Sequence, residues 1–371
     1  MTNHGRKLSP AMIPRSVNIL GCDNGGGLTR DITLLSESLA AEGCTVFVNR
    51  LYRSGGQSRF SRAARRVYAS RIGKVAVERA GCRPPYSLNI HLEGPEPGCF
   101  WLARRNVLIP NQEMFTHSSI PHLTGVAEVW AKTRIAQRLF AQLGCRVQFV
   151  GWSSVDRRDP PIKGSREHAG LHVAGSSAVK GTDALLDVWE RNPNWPILRV
   201  LRRSHNYAGS ALPWRARDSA PNIEMITERL DESTLRCLQN NSALYICPSQ
   251  AEGFGHIILE GLSVGGVVIT TDAPPMNELV TPDAGLLVAV ERTEPMGVGE
   301  RYFVNLDDLE RKIRRALEMS QAERDAFGRA ARARFEAIDQ AFRSRIKACL
   351  NAVLEAPPRD AADPTMAVNE E

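Results

Sequence analysis

Two glutamates, Glu252 and Glu260, flank a Gly253-Phe254-Gly255 turn. Carboxylates accept hydrogen bonds from diols and hydroxyls. Glycines let a backbone approach a ligand with no Cβ in the way. The turn follows Leu244 to Cys247, an apolar run closed by Pro248 and Ser249, which reads as a buried strand. After the turn, Ile257, Ile258 and Leu262 mark the core stripe of a helix that Gly265 stops, and Val267 to Thr270 form a second strand. Strand, loop, helix and strand make the unit of a parallel sheet. The N–H groups at the helix start lack intrahelical partners and favour an anion. An anion with hydroxyls on both sides describes a nucleotide-sugar. Its diphosphate would lie on the amides, its ribose on Glu260 and its neutral sugar on Glu252.

Two further loops invite the same chemistry. Val17 to Gly21 reads as a strand that ends in Cys22-Asp23-Asn24-Gly25-Gly26-Gly27, and Ile32, Leu35 and Leu39 mark the helix after it. Three glycines at a strand-to-helix turn expose backbone donors, although the spacing is not G-x-G-x-x-G and a plain flexible turn fits as well. Leu171 to Ala174 reads as a strand before Gly175-Ser176-Ser177-Ala178-Val179-Lys180-Gly181-Thr182. Lys180 precedes the glycine, so this is not a phosphate-binding Walker loop, which needs Gly-Lys-Thr.

The block from Glu252 to Glu260 resembles the E-x7-E block of retaining GT-B glycosyltransferases of the family 4 type (glycosyltransferase group 1). The similarity extends to Cys247-Pro248-Ser249 before it, to EGLSVGGVVITTD from Glu260 onward and to NELV after that. It is good over the C-terminal half and weaker over the N-terminal half. The resemblance implies an α/β GT-B fold, with two Rossmann-like doubly wound domains facing a cleft and a C-terminal helix crossing back. Residues 15–155 would be the acceptor-side domain, 165–337 the nucleotide-sugar domain, 338–355 the returning helix and 356–371 a disordered tail.

On this likeness Gly26 and Gly27 line the cleft near the donor phosphates, and Lys180 neutralises the diphosphate. Gly253, Phe254, Gly255 and Glu260 bind the donor, and Glu252 holds sugar hydroxyls. Ser176 stands where Arg or Lys is usual, so a charge is missing. The Ser176 and Ser177 hydroxyls, or Arg202 or Arg203, would have to make it good, or activity is low. Asn111 takes the place of a histidine that faces the reacting sugar. It can hydrogen-bond but cannot act as acid or base. His91 is a nearby alternative, although a strand histidine is more often a packed core residue. The family transfers with retention, usually by front-face attack in which the departing phosphate takes the acceptor proton. No metal or cofactor is expected, because no Asp-x-Asp pair occurs and the nucleotide-sugar is a substrate.

The chain has 371 residues, enough for two domains, and a formal net charge of +6, a weak bias toward anionic partners. Eight cysteines, with no C-x-x-C pair among them, argue for reduced thiols in the cytoplasm. No apolar run is long enough for a membrane span, and the first residues lack the apolar core of a signal peptide. Nine Lys or Arg against the single acid Glu78 fill Arg53 to Arg83. That stretch suits a solvated helix packed on the sheet, and it also suits peripheral contact with an anionic membrane. The expected partners are a nucleotide-sugar and a glycan, lipid-linked or small-molecule acceptor, and no nucleic acid.

Three rivals remain on the residues alone. A nicotinamide oxidoreductase would use Gly253 and Gly255 with Asp272, but Ile258 stands where the third glycine belongs. A non-catalytic GT-B module would bind a sugar or partner without turnover. An epimerase on the same fold would need no acceptor. Toward the C-terminus, Val290 to Arg301 reads as an irregular insertion, and helices are expected over Leu306–Met319, Ala322–Ala337 and Gln340–Leu354.

Overall fold

A computed structural model describes residues 15–50, 84–159, 167–203 and 220–356. The basic stretch Arg53 to Arg83 and the tail from Pro357 lie outside the described residues.

Continuous apolar runs become strands buried on both faces, as parallel sheets require. The first sheet joins β1 (Ser16–Gly21), β2 (Thr45–Arg50), β3 (Leu88–Glu93), β4 (Asn106–Pro110), β5 (Glu128–Ala131) and β6 (Val147–Phe149) in the order β2-β1-β3-β4-β5-β6. All five pairings are parallel. An amide ladder crosses its interior: Asn18 Nδ2 donates to Asn89 Oδ1 at 2.9 Å, and Asn89 Nδ2 to Asn106 Oδ1 at 2.9 Å. Each buried amide thus finds a partner on the next strand, which removes the penalty of sealing it from water.

The second sheet joins β7 (Glu167–Gly175), β8 (Leu198–Arg202), β9 (Ile223–Ile226), β10 (Ser242–Cys247), β11 (Val267–Thr271) and β12 (Gly285–Val288) in the order β12-β11-β10-β7-β8-β9, again parallel throughout. In both sheets the strand order reverses beside a central strand, and a crevice opens outside the carboxyl ends at such a point. Helices α1 (Gly27–Ala41), α2 (Arg134–Gln142), α3 (Thr182–Glu190), α4 (Glu232–Asn241), α5 (His256–Ser263), α6 (Met276–Leu279) and α7 (Leu306–Leu317) cover the sheets.

Two expectations are corrected. Residues Val290 to Arg301 are not irregular: β13 (Val290–Met296) and β14 (Gly299–Val304) form an antiparallel hairpin. The helix expected to break near Ala337 does not break. It is one helix, α8 (Gln321–Glu355), of 35 residues. Its start is a reciprocal cap, in which Ser320 Oγ accepts from the Glu323 amide and Glu323 Oε2 accepts from the Ser320 amide at 2.8 Å. Along α8, Ala331 and Phe335 are buried in its first half, and Phe342, Ile346, Leu350 and Val353 in its second. Trp152 meets Phe342 at 5.1 Å between ring centroids. Arg15 Nη2 donates to Asn351 Oδ1 at 3.0 Å, so the second half reaches back to the first lobe. Among the described residues no helix is long and apolar enough to cross a membrane.

Candidate active-site cleft

A cavity of about 530 Å³ opens between the lobes, at the carboxyl ends of both sheets. From the first lobe come Gly26 and Gly27 after β1, Asn111 and Glu113 after β4, and Lys132 after β5. From the second come Ser176 and Lys180 after β7, and Glu252 through His256 after β10.

The glycine turn has a steric reason. A Cβ on Gly253 would stand 3.0 Å from Glu113 Oε1 and closer still to Asn111 Oδ1, so only glycine lets the two lobes meet here. Gly255 caps α5 at φ +112, a conformation that side chains disfavour. Gly181, at φ +68, caps α3 in the same way, and a Cβ there would collide with the Pro248 carbonyl. That close approach seats the loop bearing Lys180 on the strand end before the glycine turn. The result is an ion pair at the cleft mouth: Lys180 Nζ lies 2.5 Å from Glu252 Oε1, with side-chain exposures of 18% and 8%. Ser249 Oγ donates to the same oxygen at 2.7 Å, and Gln112 Nε2 donates to the Glu252 carbonyl at 2.7 Å. Glu252 is therefore oriented from both lobes.

Asn111 is held as well. Lys132 Nζ donates to Asn111 Oδ1 at 2.5 Å and to Asp31 Oδ2 at 3.0 Å. Asp31 Oδ1 accepts from Trp152 Nε1 at 2.6 Å and meets His256 Nε2 at 2.9 Å. Burial alone would raise the Asp31 carboxyl, but the Lys132 charge and the His256 hydrogen bond hold it well below the usual carboxylate range. This chain runs from α1 through β5 to the first residue of α5, and so from one lobe to the other.

Glu260 is fully buried and does not line the cavity. Its Oε1 forms an ion pair with Arg30 Nε at 3.0 Å and accepts from Ser154 Oγ at 3.3 Å, and its Oε2 accepts from Gln239 Nε2 at 2.8 Å. Arg157 Nε lies 3.4 Å from Oε2, a charge contact rather than a directed hydrogen bond. Burial would raise this carboxyl, but Arg30 and Arg157 hold it below its ordinary value. Both oxygens have protein partners in this structure, and Glu260 pairs with Arg30, which itself lines the cavity.

Other expected residues are placed as follows. Phe254 lines the cavity, although it is only 4% exposed, and stacks edge-on against His256 at 5.5 Å. Ser176 lines it and brings no charge. Of the two arginines named as substitutes, Arg203 lines the cavity, whereas Arg202 Nη1 is drawn to Asp183 Oδ1 at 3.0 Å. His91 is a core residue. Its Nδ1 accepts from the Glu96 amide at 3.1 Å, its Nε2 meets Asn106 Oδ1 at 3.1 Å, and burial pushes its pKa down to about 4. Sequence reasoning pointed to the Asn111-Gln112-Glu113 loop but gave Glu113 no role, and it missed Lys132, Arg229 and the Asp31–His256 link. Lys132 follows β5 directly, and the rule that ligands bind beyond strand carboxyl ends flags it.

Residues 216–334 match the family model described as glycosyl transferases group 1. No curated protein matches the chain. Among solved structures, it is similar to sucrose-phosphate synthase from Thermosynechococcus elongatus, with TM-score 0.67 and 13% identity over 92% of this chain and 100% of that one. A glycosyltransferase from Rickettsia africae gives TM-score 0.66 and 12% identity over 92% of this chain and 99% of that one. Anabaena HepE, solved in complex with UDP and glucose, gives TM-score 0.61 and 14% identity over 91% of this chain and 99% of that one. At these identities the likeness establishes the fold, which is that of the GT-B glycosyltransferases.

Proposed function

We propose that this GT-B chain, with its group 1 glycosyl transferase segment, moves a sugar from a nucleotide-sugar to an acceptor hydroxyl, with retention and without a metal ion. The observation that carries the reading is the Lys180–Glu252 pair set against the Gly253–Gly255 turn, in a cleft lined from both lobes. The amides at the start of α5 and the Lys180 ammonium receive the diphosphate as it departs. Glu252, whose carboxylate Ser249 already orients, accepts from hydroxyls of the transferred sugar. Its pairing with Lys180 keeps a carboxylate from repelling the diphosphate.

In the step itself the bond from the anomeric carbon to the phosphate oxygen breaks, and its electron pair stays on the diphosphate. The acceptor oxygen forms the new bond, and its proton passes to the departing phosphate. Charge at the anomeric carbon develops as in other glycosyl transfers. Asn111 needs no acid–base role in that route, which agrees with its being fixed by Lys132. Arg203 and Arg229 line the same cavity and bring cations where Ser176 brings none. The ribose falls to the side of the cavity lined by Arg30, Arg229 and Glu232, where Arg30 is paired with Glu260.

A screen of UDP-, GDP- and ADP-sugars for slow hydrolysis, read by mass spectrometry, tests this without an acceptor. One donor is expected to yield free sugar and nucleoside diphosphate. Binding with no turnover of any donor would favour a non-catalytic module instead.

A further inference from the structure

Glu113 is a cleft carboxyl that the proposed reaction does not use. It follows β4 and lines the cavity. Its Oε2 is sealed from solvent and has no hydrogen-bond partner among the described residues. Its Oε1 faces Gly253, at 3.0 Å from where a Cβ would stand. Gly253 opens the turn whose amides await the diphosphate. An ionised carboxylate at that spot would leave the sealed Oε2 without a partner and would oppose the incoming anion. A carboxylic acid would do neither, and it would aim an O–H at the ligand.

We propose that Glu113 takes part in donor binding as a neutral acid, giving a hydrogen bond to a diphosphate or sugar oxygen opposite the Gly253 turn. This deepens the nucleotide-sugar reading of the cleft and rests on it. The surroundings supply the means. Burial pushes the Glu113 carboxyl up to about 7, its own backbone and Lys132 pull against that, and Glu252 and Glu93 add to it. Lys132 is divided between Asp31 and Asn111, and Lys180 is engaged with Glu252, so neither cation is committed to Glu113. The backbone beneath is fixed too. The tip of the β13–β14 hairpin at Gly297 packs against the carbonyls of Gln112, Glu113 and Phe115. Ser176 brings a hydroxyl but no charge on the second lobe, and Glu113 places a proton-bearing group on the first. Two negative phosphates arriving nearby favour the protonated form further, so binding should draw in a proton at Glu113.

Calorimetric titration tests this with a UDP-, GDP- or ADP-hexose, whose bridged diphosphate has no ionisation near neutral pH. Titrations at about pH 6 and about pH 8, in two buffers of different ionisation heat, give both affinity and proton uptake. Wild type is expected to bind about tenfold more weakly at the higher pH and to take up close to one proton there. Glu113→Gln, a neutral amide that still donates, is expected to bind at both pH values as wild type does at the lower, with no uptake. The wild-type proton count stands even if the variant misfolds. Wild-type binding that is proton-neutral and flat with pH would overturn the role of Glu113 while leaving the cleft reading intact. So would a tenfold loss at about pH 6 in Glu113→Gln, which would mean that the carboxylate accepts. If no nucleotide-sugar bound wild type at either pH, the cleft reading would fall, and this inference with it.

Discussion

Gly253 shows how little space separates the lobes in the candidate cleft. Its missing Cβ is what allows Asn111 and Glu113 to approach the glycine turn. Asn111 cannot step aside freely, because Lys132 fixes its oxygen and Asp31 fixes Lys132. Gly253→Ala should therefore weaken nucleotide-sugar binding by about tenfold or more, or about 1.4 kcal/mol, as read by tryptophan quenching. Unchanged affinity would show that the lobes stand further apart in solution. Residues such as Gly253, Gly255 and Glu252 were legible in the sequence because they lie within one short segment, where type and spacing speak together. Glu113, Lys132 and Asp31 were not, because each lies in ordinary local sequence and acquires meaning only from what the fold sets opposite it. Glu260 adds to this. Its spacing showed in the sequence, but its pairing with Arg30 of α1 and Gln239 of α4 could be seen only in the fold.

Among the elements, the buried strands of both sheets were readable as apolar runs, since parallel strands covered on both faces need no alternation. The β13–β14 hairpin was not. Its first strand, Val-Glu-Arg-Thr-Glu-Pro-Met, is exposed or half-exposed along its length, so no period-two pattern of burial marks it, and Pro295 argues against a strand interior. It is an outlying ribbon held by its own cross-strand contacts, among them Arg292 over the Phe303 ring at 3.5 Å. Its tip meets the loop after β4, where the Val298 amide donates to the Gln112 carbonyl at 3.3 Å. Gly297 has φ +59, and a Cβ there would come within 2.7 Å of the Gln112 carbonyl oxygen and 2.8 Å of that of Glu113. Gly297→Ala combines left-handed strain with that collision and should destabilise the protein by about 2 kcal/mol in chemical unfolding. A change near zero would mean that the tip does not bear on the cleft loop. The unbroken α8 has a similar lesson. The break expected between Ala337 and Gln340 falls at Asp339, which accepts from Ser153 Oγ at 2.7 Å and pairs with Arg343 at 2.7 Å. With no Gly or Pro from Arg329 to Ala356, nothing stops the helix.

For the molecule as a whole, the cleft is the meeting of two sheets that each contribute loops from their strand ends, and polar side chains join them behind it. Asp31 to His256 and Arg30 to Glu260 link α1 to α5 at 2.9 Å and 3.0 Å, and the tip of the hairpin and the second half of α8 complete the joint. The lobes thereby hold the Lys180 ammonium, the α5 amides and the glycines after β1 around one space. The two-lobed architecture could be anticipated from the resemblance, whereas the joint could not, since its pairs lie far apart along the chain. The most direct test of the whole account is the hydrolysis rate of the preferred nucleotide-sugar by Lys180→Ala beside wild type. Removing the ammonium opposite the departing diphosphate should lower kcat by about a hundredfold to a thousandfold. A variant that hydrolysed the donor at the wild-type rate would contradict the claim that this cleft stabilises a leaving diphosphate.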